Sequence, residues 1–254
     1  MTPMSAIYPS LQGKRVVITG GGSGIGAGLV EAFARQKAKV VFLDIAVAES
    51  EALVKELAGA DTPPRFINCD LRDVKALEAA FAGIERDLGG VDVLVNNAGN
   101  DDRHGLDDVT AAYWDDRIAV NLRHMLLAAR AVAPSMRKQT SGAIINFGSI
   151  SWHLGLPDLV VYETAKAGIE GMTRALAREL GADGVRVTCV VPGNVKTPRQ
   201  MQWYTPDEEA EIVAAQCLKA RIEPEHVAAL VLFLASDDAR MCTGHEYWID
   251  AGWR

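Results

Sequence analysis

Short continuous apolar runs alternate along this chain with longer stretches in which apolar residues recur every three or four positions. The runs at 14–19, 39–43, 65–69, 91–95, 143–147, 185–191 and 246–249 have the length of buried strands. Between them, Ile25, Leu29 and Phe33 begin a helical spacing. That spacing resumes over 47–57, 73–88, 108–137, 160–180, 206–217 and 224–235. Strand and helix in regular alternation predict a doubly wound α/β fold: a parallel sheet of about seven strands, right-handed crossovers, and helices on both faces. No linker, repeat or low-complexity stretch divides residues 1–254, so one domain is expected. The segment 195–207 shows no period and carries Trp203 and Tyr204; with the helix after it, to 217, it reads as a substrate lid.

Composition narrows the class. An apolar fraction of 49% suffices for a large core, and a net charge of −7 without a basic run argues against nucleic acid or an anionic membrane as partner. No apolar run approaches the roughly 18 residues of a membrane span. The first residues lack a basic start followed by an apolar block, so a cytoplasmic protein is expected. Cys69, Cys189, Cys217 and Cys242 show no paired spacing and are expected to be reduced thiols. Asp101 and Asp102 lie near His104, but no further ligand has suitable spacing, so the trio is read as a solvated loop and no metal is expected.

The candidate chemistry lies after the strands. The first strand runs into Gly20-Gly21-Gly22-Ser23-Gly24-Ile25-Gly26, and a helix follows. That order suits a dinucleotide: glycines let the backbone approach a pyrophosphate, and the helix start offers free N–H groups. The second strand ends at Asp44, 18 residues after Gly26, where an acid can bind the adenosine ribose and repel a 2′-phosphate. With no Arg or Lys in the glycine loop or just after Asp44, NAD is expected over NADP. Asp44 could equally cap the next helix. The fourth strand closes in Asn96-Asn97-Ala98-Gly99, which is either a plain polar turn or a place for a flat cofactor ring against backbone. Asn121 sits amid Ile118, Val120, Leu122 and Met125, a setting that suggests a specific hydrogen-bonding task. Ser149 follows the fifth strand. Tyr162 and Lys166, four apart on a helix, share one face. A fixed ammonium lowers the pKa of a phenol, so the tyrosine can take a proton from an alcohol whose oxygen Ser149 holds.

Taken in order, Thr19-Gly20-x-x-x-Gly24-x-Gly26, Asp70, Asn96-Asn97-Ala98-Gly99, Asn121, Ser149, Tyr162-x-x-x-Lys166 and Pro192-Gly193 resemble the short-chain dehydrogenase/reductase family over essentially the whole chain. The resemblance implies a catalytic tetrad of Asn121, Ser149, Tyr162 and Lys166, with Tyr162 as the base and Asn121 holding a water in the proton relay. Lys166 would also bind the nicotinamide ribose. It implies a cofactor site at Gly20, Gly22, Ser23, Gly24, Ile25, Gly26 and Asp44, with Asp70 and Leu71 at the adenine. Asn97, Ala98, Gly99, Pro192 and Gly193 would complete that site, with Val195 and Thr197 at the carboxamide. It further implies a homotetramer, with the apolar helix faces around 121 and 169 as candidate contacts. Where many members have Asp-Gly-Gly, this chain has Asp250-Ala251-Gly252.

The stretches 97–104, 148–155, 192–197 and the C-terminal residues resemble the family's sugar 1-dehydrogenases. These oxidise the anomeric carbon of an aldopentose, D-xylose first, to the lactone. L-Arabinose and other aldose 1-dehydrogenases, 3-oxoacyl or polyol reductases, and a non-catalytic dinucleotide sensor remain as alternatives. A sugar would be expected to meet Asn100, His153 and Asn194 through hydrogen bonds. Ser149, Ser151 and Tyr162 would lie at the reacting carbon, and Trp152, Trp203 and Trp253 would offer flat apolar faces.

Overall fold

The computed structural model describes residues 6–202 and 204–253. Seven strands form one sheet: β1 (Arg15–Thr19), β2 (Lys39–Asp44), β3 (Arg65–Asn68), β4 (Val93–Asn96), β5 (Gly142–Phe147), β6 (Val185–Pro192) and β7 (Glu246–Ile249). Their order is β3-β2-β1-β4-β5-β6-β7 and every pair is parallel. The order reverses between β1 and β4, so the crossovers on the two sides diverge and leave a crevice at the carboxyl ends.

Side chains alternate across the sheet and feed two cores. Val16 and Ile18 of β1 face α1 (Gly24–Arg35) and α9 (Pro224–Ala235), where Leu29, Phe33, Val227 and Val231 are fully buried. Val17, between them, faces α3 (Val74–Leu88), α5 (His124–Gln139) and α7 (Val160–Leu180), against Leu77, Ile84, Val132 and Leu180. The doubly wound α/β architecture expected from periodicity is therefore the one formed. Among the described residues no helix is long and apolar enough to cross a membrane. All four cysteines are unpaired.

Leu53 and Val54 of α2 (Val47–Glu56) pack against the α1 side of the sheet. Local chemistry sets the helix ends. Asp73 caps α3 rather than opening it, its Oδ1 accepting from the Lys75 and Ala76 amides. Thr205 and Glu208 form a reciprocal cap on α8 (Pro206–Ala215). Two features depart from the apolar pattern. The single helix read at 108–137 is broken into α4 (Ala111–Ile118), a π-helical turn over Ala119–Arg123, and α5. One turn of helix, α6 (Ser151–Leu154), follows β5, too short to leave a periodic signal.

Candidate active site

The ends of β1, β2, β4, β5 and β6 open into a cleft of about 550 Å³. The glycine turn after β1 forms one wall. Gly20 has φ +67° and a Cβ there would lie 2.7 Å from the Ala98 Cα, while a Cβ on Gly26 would run into the Gly20 carbonyl oxygen. Only glycine fits either position, and the close packing brings β1 and β4 together. Thr19 reinforces it: its Oγ1 accepts from the Asn97 and Ala98 amides at 3.1 and 3.2 Å. Asn97 Nδ2 in turn donates to the Gly20 carbonyl at 2.8 Å.

Gly20, Ser23, Gly24, Ile25 and Gly26 line the cleft, as do Asn97, Ala98, Gly99, Pro192, Gly193, Val195 and Thr197. Gly22 is not on that surface; its amide donates to Asp44 Oδ2 at 2.8 Å and so anchors the acid. The other Asp44 oxygen accepts from the Ile45 and Ala46 amides at 2.7 and 2.9 Å. Asp70 and Leu71 stand further along the cleft, but both Asp70 oxygens are engaged by Arg72. That guanidinium holds the Asp70 carboxyl below the ordinary carboxylate range. Arg72 is a cleft residue that sequence reading missed. It is committed to Asp70 and, at 2.9 Å, to Asp116.

The reacting groups meet between β5 and α7. Lys166, 3% exposed, donates from Nζ to the Phe147 carbonyl at 2.8 Å and lies 5.4 Å from the centre of the Tyr162 ring. Ser149 Oγ is 2.9 Å from Ser151 Oγ and accepts from the Ser151 amide. Burial pushes the Tyr162 phenol up, Asp101 adds to it, and the Ser149 hydrogen bond pulls it down. Burial brings the Lys166 ammonium down to about 8. The direction is opposite to the expected lowering of the phenol, because a buried site disfavours the charged form of each group.

Asn121, fully buried, is presented by the π-helical turn. Its Oδ1 accepts from the Asn100 amide and its Nδ2 donates to the Asn100 carbonyl. Next to that turn, His124 is fully buried, and neither of its ring nitrogens makes a hydrogen bond, although the Ala119 and Val120 carbonyls face it.

Of the residues expected at a sugar, Asn100, Ser149, Ser151, Tyr162, Asn194 and Trp253 line the cleft. Trp203 lies outside the described residues. Trp152 and His153 stand outside its lining. Trp152 Nε1 and His153 Nε2 both reach Glu170 Oε1 at 2.9 Å, and the His153 ring packs between Trp152 and Trp248, with centres 3.7 and 4.3 Å away. In the single turn of α6, Ser151 takes the cleft side, and Trp152 and His153 are drawn to α7 by a buried carboxylate.

The Asp101-Asp102 pair is not a merely solvated loop either. Arg199 donates to Asp101 and Asp102 at 3.1 and 2.6 Å, and Gln200 to Asp101 at 2.8 Å. Arg199, Gln200, Tyr204 and the aliphatic group Leu154, Leu156 and Leu159 join the lining without any motif to announce them. Among the described residues, no group of three His, Cys, Asp or Glu side chains could hold a metal ion.

Comparison with known proteins gives consistent relatives. The family model described as "Enoyl-(Acyl carrier protein) reductase" matches residues 20–254. The chain is 74% identical over 250 residues to D-xylose 1-dehydrogenase of Caulobacter vibrioides (strain NA1000 / CB15N), covering 98% of this chain and 99% of that protein. It is 46% identical over 254 residues to a Rhizobium meliloti (strain 1021) protein described as a probable galactose dehydrogenase, covering 99% of each. Among solved structures, one from Sinorhizobium meliloti 1021, described as a candidate short-chain alcohol dehydrogenase, superposes with a TM-score of 0.91 at 30% identity, covering 97% of this chain and 98% of that one.

Proposed function

This chain belongs to the short-chain dehydrogenase/reductase family and is an oxidoreductase, and we propose that it oxidises the anomeric C1 of an aldopentose, D-xylose first, to the lactone with NAD. The observation that carries this reading is the setting of Ser149, Tyr162 and Lys166. They stand at one end of a cleft whose wall also presents Asn100, Asn194, Gln200 and Tyr204, polar groups suited to a ring bearing several hydroxyls. The 74% identity to a D-xylose 1-dehydrogenase over nearly the whole chain supports the same substrate.

A dinucleotide fits the residues present. The Gly20 and Gly26 wall admits no side chain, so backbone approaches the cleft directly, and Asp44 stands beyond it with its carboxylate fixed by three amides. The residues to hold it would be Ser23 to Gly26, Asp44, Leu71, Asn97 to Gly99, Lys166 and Thr197. NAD is favoured over NADP because a carboxylate repels a 2′-phosphate and the nearby Arg72 is already paired. When bound, NAD supplies an acceptor for the hydride from C1.

The chain's own groups do the proton work. Ser149 holds the C1 oxygen by hydrogen bond. Tyr162 takes the hydroxyl proton, which requires the phenolate. Lys166, fixed at its height by the Phe147 carbonyl, favours that phenolate when protonated. Asn121 fixes the loop after β4 and so one side of the sugar site. The lactone then hydrolyses, which draws the oxidation forward.

In this reading residues 1–254 act as one dinucleotide-binding domain, with the segment near 195–217 as its lid. The enzyme is placed in the cytoplasm as a homotetramer. Exposed Trp114, Leu126 and Val160, on the helices around 121 and 169, support a contact there.

A second reading, a 3-oxoacyl or polyol reductase, draws on the aliphatic lining at Leu154, Leu156 and Leu159. Initial rates on D-xylose, L-arabinose, D-glucose and D-galactose with each cofactor, followed by nicotinamide absorbance, separate the two. The highest kcat/KM is expected for D-xylose with NAD. No turnover of any aldose, with reduction of a 3-oxoacyl substrate or oxidation of a polyol instead, overturns the sugar reading.

A further inference from the structure

Beyond the reacting carbon, the structure holds a polar relay that no motif announces. Arg221 is 10% exposed at its side chain. Its Nη1 donates to Glu209 Oε1 on α8 at 2.6 Å, and its Nη2 donates to Asn194 Oδ1, just after β6, at 2.7 Å. A guanidinium can only donate, so the Asn194 oxygen must face it. The Asn194 Nδ2 therefore faces the other way, where it meets the Tyr204 hydroxyl at 2.8 Å. An amide NH₂ can also only donate. The phenol oxygen is thus the acceptor in that bond, and the phenol's own hydrogen takes no part in it. Among the described residues the Tyr204 hydroxyl makes no other hydrogen bond. Asn194 and Tyr204 both line the cleft that contains Ser149 and Tyr162.

We propose that Tyr204 is a specificity-determining residue that donates its hydroxyl hydrogen to an oxygen of the substrate away from C1, and that Arg221 is the positioning residue that sets this polarity through Asn194. The proposal rests on the sugar reading, because an aldopentose ring with hydroxyls on C2, C3 and C4 provides such an acceptor. The same relay explains why a buried arginine joins the lid helix to the residue after β6. Glu209 holds one arm of the guanidinium and Asn194 the other, so neither the amide nor the phenol can reverse its donor and acceptor sides without stranding a buried group. A wall of fixed donors rejects an analogue lacking the matching oxygen far more strongly than an apolar wall rejects a change of size.

The test crosses enzyme variants with substrate analogues. Kinetics of the wild type and Tyr204→Phe are measured on D-xylose and on its 2-, 3- and 4-deoxy analogues, with NAD saturating. Tyr204→Phe is expected to lower kcat/KM on D-xylose by roughly tenfold or more, chiefly through KM, with KM for NAD unchanged. For the analogue lacking the contacted hydroxyl, the wild type and the variant should be equal, because the same bond is already missing. Arg221→Met should produce a loss on D-xylose that is not added to in the double variant with Tyr204→Phe, since both remove one interaction. If Arg221→Met does not fold, the Tyr204→Phe series decides alone. An equal loss on every sugar, or no loss on D-xylose, overturns the proposal while leaving the sugar reading standing. A wild type that turns over no aldose overturns both.

Discussion

Asn121 and Asn100 are 21 positions apart and bind each other in both directions. The Asn100 amide donates to Asn121 Oδ1 at 2.7 Å, and Asn121 Nδ2 donates to the Asn100 carbonyl at 3.0 Å. A side-chain amide thus pairs a backbone donor and acceptor of the loop after β4, as a neighbouring strand would. The π-helical turn over Ala119–Arg123 is the local distortion that presents Asn121 for the task.

Replacing Asn121 with Ala strands both backbone groups. A loss of about 1–3 kcal/mol of stability is expected, together with a lower kcat, because the loop forms part of the cleft. Asn121→Asp keeps the acceptor but sets a buried carboxylate against the Asn100 carbonyl, so its cost should match or exceed that of Ala. Denaturant unfolding and initial rates check both, and an Ala variant with wild-type stability and rate would show the bond to be idle.

Tyr162→Phe should reduce kcat on the order of 10²–10⁴-fold while NAD still binds, since the ring packs as before but cannot take the proton. Lys166→Ala should damage turnover and cofactor affinity together. Stopped-flow turnover and a fluorescence titration with NAD separate these effects. Substantial residual turnover in Tyr162→Phe would assign the proton to another base.

His124 should give the enzyme an acid-sensitive stability. Burial, reinforced by the charge of Lys166, pushes its imidazole down to about 3. The unfolded chain, with a pKa of about 6.5, therefore binds this proton more readily than the folded one between those values. The stability tied to neutral His124 is present above pH 6.5 and is lost as pH falls toward 3. Thermal midpoints of the wild type should decline from about pH 6.5 downward, and His124→Leu should flatten that decline. Parallel curves for the two proteins would exclude His124 as the cause.

Asp44→Ala should raise KM for NAD by about tenfold or more and narrow the preference over NADP, since it removes a hydrogen-bond acceptor and a repelling charge together. It should also loosen the glycine turn, because the Gly22, Ile45 and Ala46 amides lose their partner. The measurement is kcat/KM with each cofactor. A wild-type preference for NADP would reverse the assignment.

Sequence by itself determined the order and type of the strands and of the long helices. The bounds of α7, α9 and β7 coincide with the periodic stretches, and Ser149, Tyr162 and Lys166 were identifiable as a unit. This is because strand and helix periods, helix caps and a glycine turn are set by neighbours a few residues apart. Tertiary structure decided where side chains point and what they meet. Trp152 and His153 look like sugar contacts in the chain but turn to Glu170, 18 and 17 positions away. Asp101 and Asp102 look solvated but meet Arg199, 98 and 97 positions away. The helix around Asn121 yields to a bond with a distant loop, and burial raises the Tyr162 phenol despite its cationic neighbour. Each of these outcomes depends on desolvation and on hydrogen-bond partners brought from far along the chain, and local period carries no record of either.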